Sequence, residues 1–211
     1  MVSCQVTAEM APRRTNKQAI VEVANRVIAE RGVGDLTFQA LADALGVTKQ
    51  AVLYWYPSKA ALARDLVLPA LWGEVGALIA AVASATGPAD GVARFTRALI
   101  GYHLRNLPRF RLVYLAGQVD REVQQLMMQG EDLAEVHRIT SDGYAALEAC
   151  LVKGGIAEPR RTAVAVHMAG IGLITMVALG AAIEDPLSHR TEALVTSLVA
   201  LLTGAAGLAP L

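Results

Sequence analysis

Cysteine is nearly missing from this chain: 211 residues carry only Cys4 and Cys150, far apart. Two such distant thiols make neither a disulfide framework nor a metal or redox motif, and the expectation is a reducing, cytoplasmic setting. Cys150 reads as a small buried residue rather than a sensor. Net charge is also missing, since 19 Lys and Arg balance 19 Asp and Glu. No catalytic signature is present. There is no G-x-S-x-G, no H-E-x-x-H and no phosphate-binding glycine loop after a strand. The four histidines are scattered, with no pair at i, i+4, so no metal site, no cofactor and no enzyme are expected. Strand-like alternation and internal repeats are absent, which leaves an all-α fold of about nine or ten helices. The N-terminus has no basic stretch followed by an apolar run, so no secretory signal is expected.

What the chain has in quantity is apolar surface. Apolar residues make up 54% and mean hydropathy is +0.41, enough for burial between subunits as well as within one. The balanced charge hides an asymmetry: residues 13–64 carry +4 and residues 65–211 carry −3. A basic head on a mildly acidic body suits a nucleic-acid binder whose second part does something else. Residues 163–183 are almost wholly apolar and about long enough to span a bilayer. His167 within the run, the many Gly and Ala, and the lack of a second span favour a buried helix, with no membrane.

The organising stretch is 37–59, TFQALADALGVTKQAVLYWYPSK. Phe38, Leu41, Ala42 and Leu45 fall on one helix face, Thr37 can cap that helix, and Gly46 can end it. Thr48 can cap a second helix, which Pro57 closes. Helix, glycine turn, helix is the unit that places a helix in the DNA major groove. On the second helix Val52, Leu53 and Tyr56 share the inward side. Gln50, Ala51, Tyr54 and Trp55 point out, with Lys49 at the exposed start. Gln can read an adenine edge, Ala can touch a thymine methyl, and Lys and Tyr can hold phosphates. Thr37 can meet a phosphate through the start of its helix. An ordinary helical hairpin with surface aromatics is the bland alternative, as in an α-helical protein-interaction or architectural protein.

The wording of LTFQALADALGVTKQAVLYWYPSKAAL resembles the DNA-binding region of the tetracycline-repressor (TetR) family of bacterial transcription regulators. Leu36-Thr37, Leu41-Ala42, Gly46-Val47-Thr48-Lys49 and the aromatic-Pro-Ser-Lys ending carry the likeness. The chain departs from the pattern at Leu53, where many members have a tyrosine; Tyr54 comes one later, and Tyr56 replaces the usual Phe. The resemblance implies a double-stranded DNA operator as partner, with Thr37, Thr48, Lys49, Gln50, Ala51, Tyr54, Trp55 and Lys59 facing it. It implies a helical body that binds a small-molecule effector between central helices and dimerises through its last two long helices. It also implies that the protein is a repressor.

The chain then divides into a tail (1–14), a three-helix head (15–65) and a ligand-binding and dimerisation body (66–211). Thr15 and Gln18 form a capping box before an apolar face of Ile20, Val23, Ala24, Val27 and Ile28. A long helix starts at Ser58, and Pro69 within it either kinks it or breaks it. Asp90 can cap the next helix, Pro108 starts a short one, and 120–129 is helical. Leu133, His137, Thr140, Tyr144, Leu147 and Leu151 line a further face. Pro159 begins the apolar helix and Ser188 caps the last. Tyr102, His103, Tyr114, Met127, His137, Tyr144 and His167 are the candidate ligand contacts, polar or soft groups on apolar helix faces. Arg105, Arg109 and Arg111 form either an anion-attracting cluster or a solvated face.

Overall fold

The computed structural model describes residues 16–116, 130–180 and 189–205. The 1–14 tail, Thr15, the 120–129 helix with Met127, and the Ser188 cap all lie outside them. The described residues are helical, with no strand among them.

Helix α1, Lys17–Arg31, is capped by Asn16, whose side chain accepts from the Ala19 N–H at 2.8 Å. The cap is therefore one residue later than the Thr15–Gln18 box predicts, and Gln18 instead donates to Glu22. The five expected apolar residues of α1 are all buried. A single 3₁₀ turn, Val33–Asp35, leads to α2, Phe38–Leu45. Thr37 caps α2 through the Ala40 N–H, and Gly46 ends it at φ +68°, a left-handed conformation that costs glycine little. Thr48 caps α3, Lys49–Trp55, through the Ala51 N–H.

The long helix is unbroken. Helix α4, Lys59–Val82, carries Pro69 inside it, so a proline in mid-helix and not a break joins head to body. Helix α5, Pro88–Leu104, starts two residues before Asp90. Asp90 sits in its first turn and accepts from the Thr86 N–H at 3.0 Å, gathering the preceding turn instead of capping from outside. Helix α6, Leu107–Phe110, runs on into a π-helical turn, Arg111–Leu115. Then come α7, Gly130–Lys153, α8, Pro159–Gly180, and α9, Thr191–Ala205.

Two apolar clusters share α4. The first joins α1, α2 and α3 to the front of α4 through Ile20, Leu41, Val52, Tyr56, Leu62 and Val67, and takes in Leu112, Ala116 and Ile139 from the body. The second begins at Leu78 and gathers α5, α7 and α8 around Phe95, Leu99, Leu147, Leu151 and Ile174. Helix α4 packs along both α5 and α7. Its apolar length therefore serves two cores. By length and composition alone both α4 and α8 could cross a bilayer. The sequence expectation concerned α8 only; α4 lies between helices.

On α7 the buried line is Ile139, Gly143, Leu147 and Leu151. At about 100° per residue His137 falls off that line, and it is exposed. The arginine trio is not simply a solvated face. Arg109 lies over the Tyr102 ring at 4.1 Å and donates to the Tyr102 carbonyl. Arg111 donates to the Ala178 carbonyl near the C-terminal end of α8, where a cation is favoured. Arg105 is exposed.

Candidate nucleic-acid interface and body site

The short α3 is held by its back. Val52 and Tyr56 are fully buried against α1 and α4. The Tyr56 hydroxyl donates to Asp65 on α4 at 2.8 Å, and Lys17 from α1 reaches the same carboxylate at 3.8 Å. Burial first, and then the Asp65 carboxylate, push the Tyr56 phenol well above its usual range, so it stays a donor. Three helices thus meet at one carboxylate.

The front of α3 is open. Lys49 and Gln50 are exposed, Tyr54 is 79% exposed, and Ala51 is half-buried beside them. Trp55 departs from expectation. It is half-buried against the head core, with Tyr54 edge-on to its ring at 5.2 Å. The seventh residue of this short helix has turned partway back toward α4. Leu53, expected inward, is only half-buried. Thr37 and Thr48 are exposed at two helix starts, their oxygens accepting backbone N–H groups and their hydroxyl protons left to donate. Lys59 is the first residue of α4, half-buried. The expected residues thus lie at the start of α2, along α3 with its cap, and at the first residue of α4, with Trp55 half-buried against the head core.

The body has a centre that sequence reasoning missed. Glu74 on α4 is 3% exposed, the one buried acid among the described residues. His103 on α5 meets one carboxylate oxygen through Nε2 at 3.1 Å, and His167 on α8 meets the other through Nε2 at 3.1 Å. The Tyr114 hydroxyl, from the π-helical turn, donates to the pair at 2.8 and 2.9 Å. Tyr144 on α7 completes a second layer, its hydroxyl 3.2 Å from His167 Nδ1. Four candidate residues thus converge on a fifth outside the expected set. A signal for it exists: Glu74 stands three after Leu71 and four before Leu78, on the apolar face of α4.

Burial alone would raise the Glu74 carboxyl. The hydrogen bonds and charge of His103 and His167 outweigh it and bring it down from 4.5 to about 2, so the group is ionised. Burial, then the neighbouring Glu74 charge, drives Tyr114 well above the usual phenol range and Tyr144 up as well, so both remain donors. Among the described residues no group of three or more His, Cys, Asp or Glu is arranged to hold a metal ion.

Tyr102 is placed differently. Its hydroxyl donates to the Ala70 carbonyl at 2.8 Å, one residue past Pro69. A side chain at Gly73 would lie 2.5 Å from that hydroxyl, so the glycine leaves room for the contact. Tyr102 thus braces the proline turn of α4 and does not face Glu74. His137, exposed on α7, joins neither group.

Residues 20–66 match the family of bacterial regulatory proteins named for tetR. No curated protein matches by sequence. Solved structures do match over nearly the whole chain. A tetR-family regulatory protein from Rhodococcus RHA1 is 17% identical, with TM-score 0.63, covering 90% of this chain and 96% of that one. The TetR-family regulator PfmR from Thermus thermophilus is 24% identical, with TM-score 0.59, covering 90% and 96%. FadR from Bacillus subtilis, in complex with stearoyl-CoA, is 14% identical, with TM-score 0.66, covering 89% and 97%. At these identities the structures speak for the fold alone. The segment 20–66 thus matches the tetR family of bacterial regulatory proteins, and the chain as a whole shares the fold of these solved structures.

Proposed function

We propose that this protein is a transcription regulator that binds a palindromic operator as a homodimer, represses, and is released by a small molecule. The head, 15–65, meets the DNA, and the body, 66–211, holds the ligand and the partner copy. The observation that carries the reading is α3. Its Lys49, Gln50 and Tyr54 stand in solvent while Val52 and Tyr56 on the opposite side are fully buried. A helix fixed by its back and bare on its front is what reading a groove requires.

Dimerisation through α8 and α9 is supported by what they leave uncovered. Met168, Met176, Leu179 and Leu201 are between 55% and 69% exposed. Large apolar side chains gathered on two long helices favour a four-helix contact with a second copy. A two-fold pair would set its recognition helices about 34–36 Å apart, one turn of duplex. Ligand control is supported by the stearoyl-CoA bound to the Bacillus subtilis FadR structure and by the polar centre at Glu74, on the helix that joins head to body. Repression rests on family likeness. A soluble protein acting on chromosomal DNA belongs in the cytoplasm.

Selection from a random duplex library at moderate salt tests the reading. The expected result is enrichment of a palindrome with half-sites one turn apart. Recovery of no palindrome by the purified dimer would overturn it.

A further inference from the structure

Helix α4 runs on from the head core into the body core, so whatever fixes α3 on α4 also fixes α3 relative to the body. The backbone of α3 does not supply that hold. Helix α3 packs closely along α2 and makes no comparable backbone approach to α4. The groups behind it are apolar, since Val52 and the Tyr56 ring are both fully buried in the head core. Apolar burial is non-directional. It holds a short helix down without fixing its rotation or its slide.

Tyr56 closes α3, its backbone N–H donating to the Val52 carbonyl at 2.9 Å. A phenyl ring would fill the same space. What tyrosine adds is the hydroxyl, which donates to Asp65 Oδ2 on α4 at 2.8 Å. A hydrogen bond is directional and weakens steeply as it bends. One to a carboxylate is about twice as strong as a neutral one. Lys17 on α1 reaches the same carboxylate at 3.8 Å, with its ammonium 5.2 Å from the Tyr56 ring centre. The lysine side chain is 58% exposed, and exposed ion pairs contribute little. The hydroxyl is therefore the stronger of the two ties to Asp65.

We propose that Tyr56 is a positioning residue for DNA reading: its hydroxyl, through Asp65, sets α3 on α4 and so sets which half-site spacing the protein accepts. The inference rests on the DNA-binding reading above. Tyr56 lies behind α3, fully buried, and the carboxylate it holds belongs to α4, so it acts through α3 and not by touching the duplex. A looser setting leaves the side chains that meet one half-site in place. What it alters is the distance between the two reading helices of a pair, and one base pair of spacing is only about 3.4 Å.

The test compares full-length wild type, Tyr56→Phe and Asp65→Asn by fluorescence anisotropy. The DNAs are the operator recovered by selection, the same operator lengthened or shortened by one base pair, and a single half-site. Tyr56→Phe leaves no cavity and no orphaned donor, and the Asp65 side chain is 37% exposed to water, so this variant keeps the fold. Asp65→Ala would strand a buried hydroxyl and confuse lost stability with lost position. Tyr56→Phe is expected to reduce the preference for the selected spacing by about tenfold, the low end of what a hydrogen bond to a charged group contributes, with half-site affinity unchanged. Asp65→Asn keeps an acceptor oxygen and loses only the exposed Lys17 pair, so it should retain the wild-type preference. Three results would overturn the inference: an unchanged spacing preference in Tyr56→Phe, an equal loss of affinity on every DNA including the half-site, or Asp65→Asn behaving as Tyr56→Phe does. A palindrome whose spacing preference survives Tyr56→Phe sinks the inference alone. Selection of no palindrome by the wild type sinks the DNA reading and the inference with it.

Discussion

Replacing Glu74 by leucine removes the acceptor on which three buried donors converge, His103 Nε2, His167 Nε2 and the Tyr114 hydroxyl. Each orphaned donor costs about 1–3 kcal/mol. The imidazoles can turn partway toward other partners, so the expected loss for Glu74→Leu is about 3–6 kcal/mol, a large part of the roughly 5–15 kcal/mol that holds a domain folded. Glu74→Gln keeps one acceptor oxygen and should lose about 1–3 kcal/mol. Urea unfolding followed by circular dichroism, at fixed protomer concentration, gives both numbers. The pH dependence adds a second reading. Because the folded-state value is depressed from 4.5 to about 2, the ionised carboxylate stabilises fully above about pH 4.5, and that contribution drains away as pH falls toward 2. A shift of this size corresponds to about 3 kcal/mol at neutral pH. The advantage of the wild type over Glu74→Gln should therefore shrink on acidification from about pH 5. If Glu74→Leu were as stable as the wild type, the leucine would be filling the site as a well-packed hydrophobe. The centre would then be a cost the fold carries for another reason, and the accounting above would be wrong.

Lys49→Ala should weaken operator binding across all sequences and lower the salt slope by about 1, with thermal stability unchanged because the side chain is exposed. Tyr54→Ala should likewise weaken binding, by about tenfold, measured by fluorescence anisotropy. Met176→Glu combined with Leu201→Glu should convert the proposed dimer to monomers in analytical ultracentrifugation while circular dichroism stays helical, since both side chains are largely exposed within one chain. Leu41→Ala, at a fully buried site of the head core, should destabilise by about 2–5 kcal/mol in urea unfolding.

The head is legible because its signals are local. Thr37, Gly46 and Thr48 each act within three or four residues of their own position, and all three do what their chemistry predicts. The same reasoning slips by one residue at Thr15 because Asn16 beside it is an equally good cap. In the body the polar candidates are legible singly. His103, Tyr114, Tyr144 and His167 stand out as polar groups on apolar faces, and they do meet. What they meet at cannot be read from them. Their partners lie 23 to 93 residues away in sequence, and no spacing rule links four helices to one carboxylate. His137 and Tyr102 show the limit from the other side. Both carry the right chemistry, but helical phase turns one to solvent, and the other spends its hydroxyl on the Ala70 carbonyl of α4.

The hydrogen bond from Tyr56 to Asp65 has a mechanical meaning. Asp65 stands four residues ahead of Pro69, so the bond clamps α3 to the near side of the proline. The two cannot swing separately. Any flexure of the long shaft is pushed back to the proline turn, about 15 Å from the shaft's first residue at 1.5 Å per residue, and a bend of about 10° there carries the whole head ~3 Å sideways. In a symmetric pair the displacement doubles. Half-sites set one duplex turn apart would then be missed by roughly the width of two base-pair steps, with no contact inside the head disturbed.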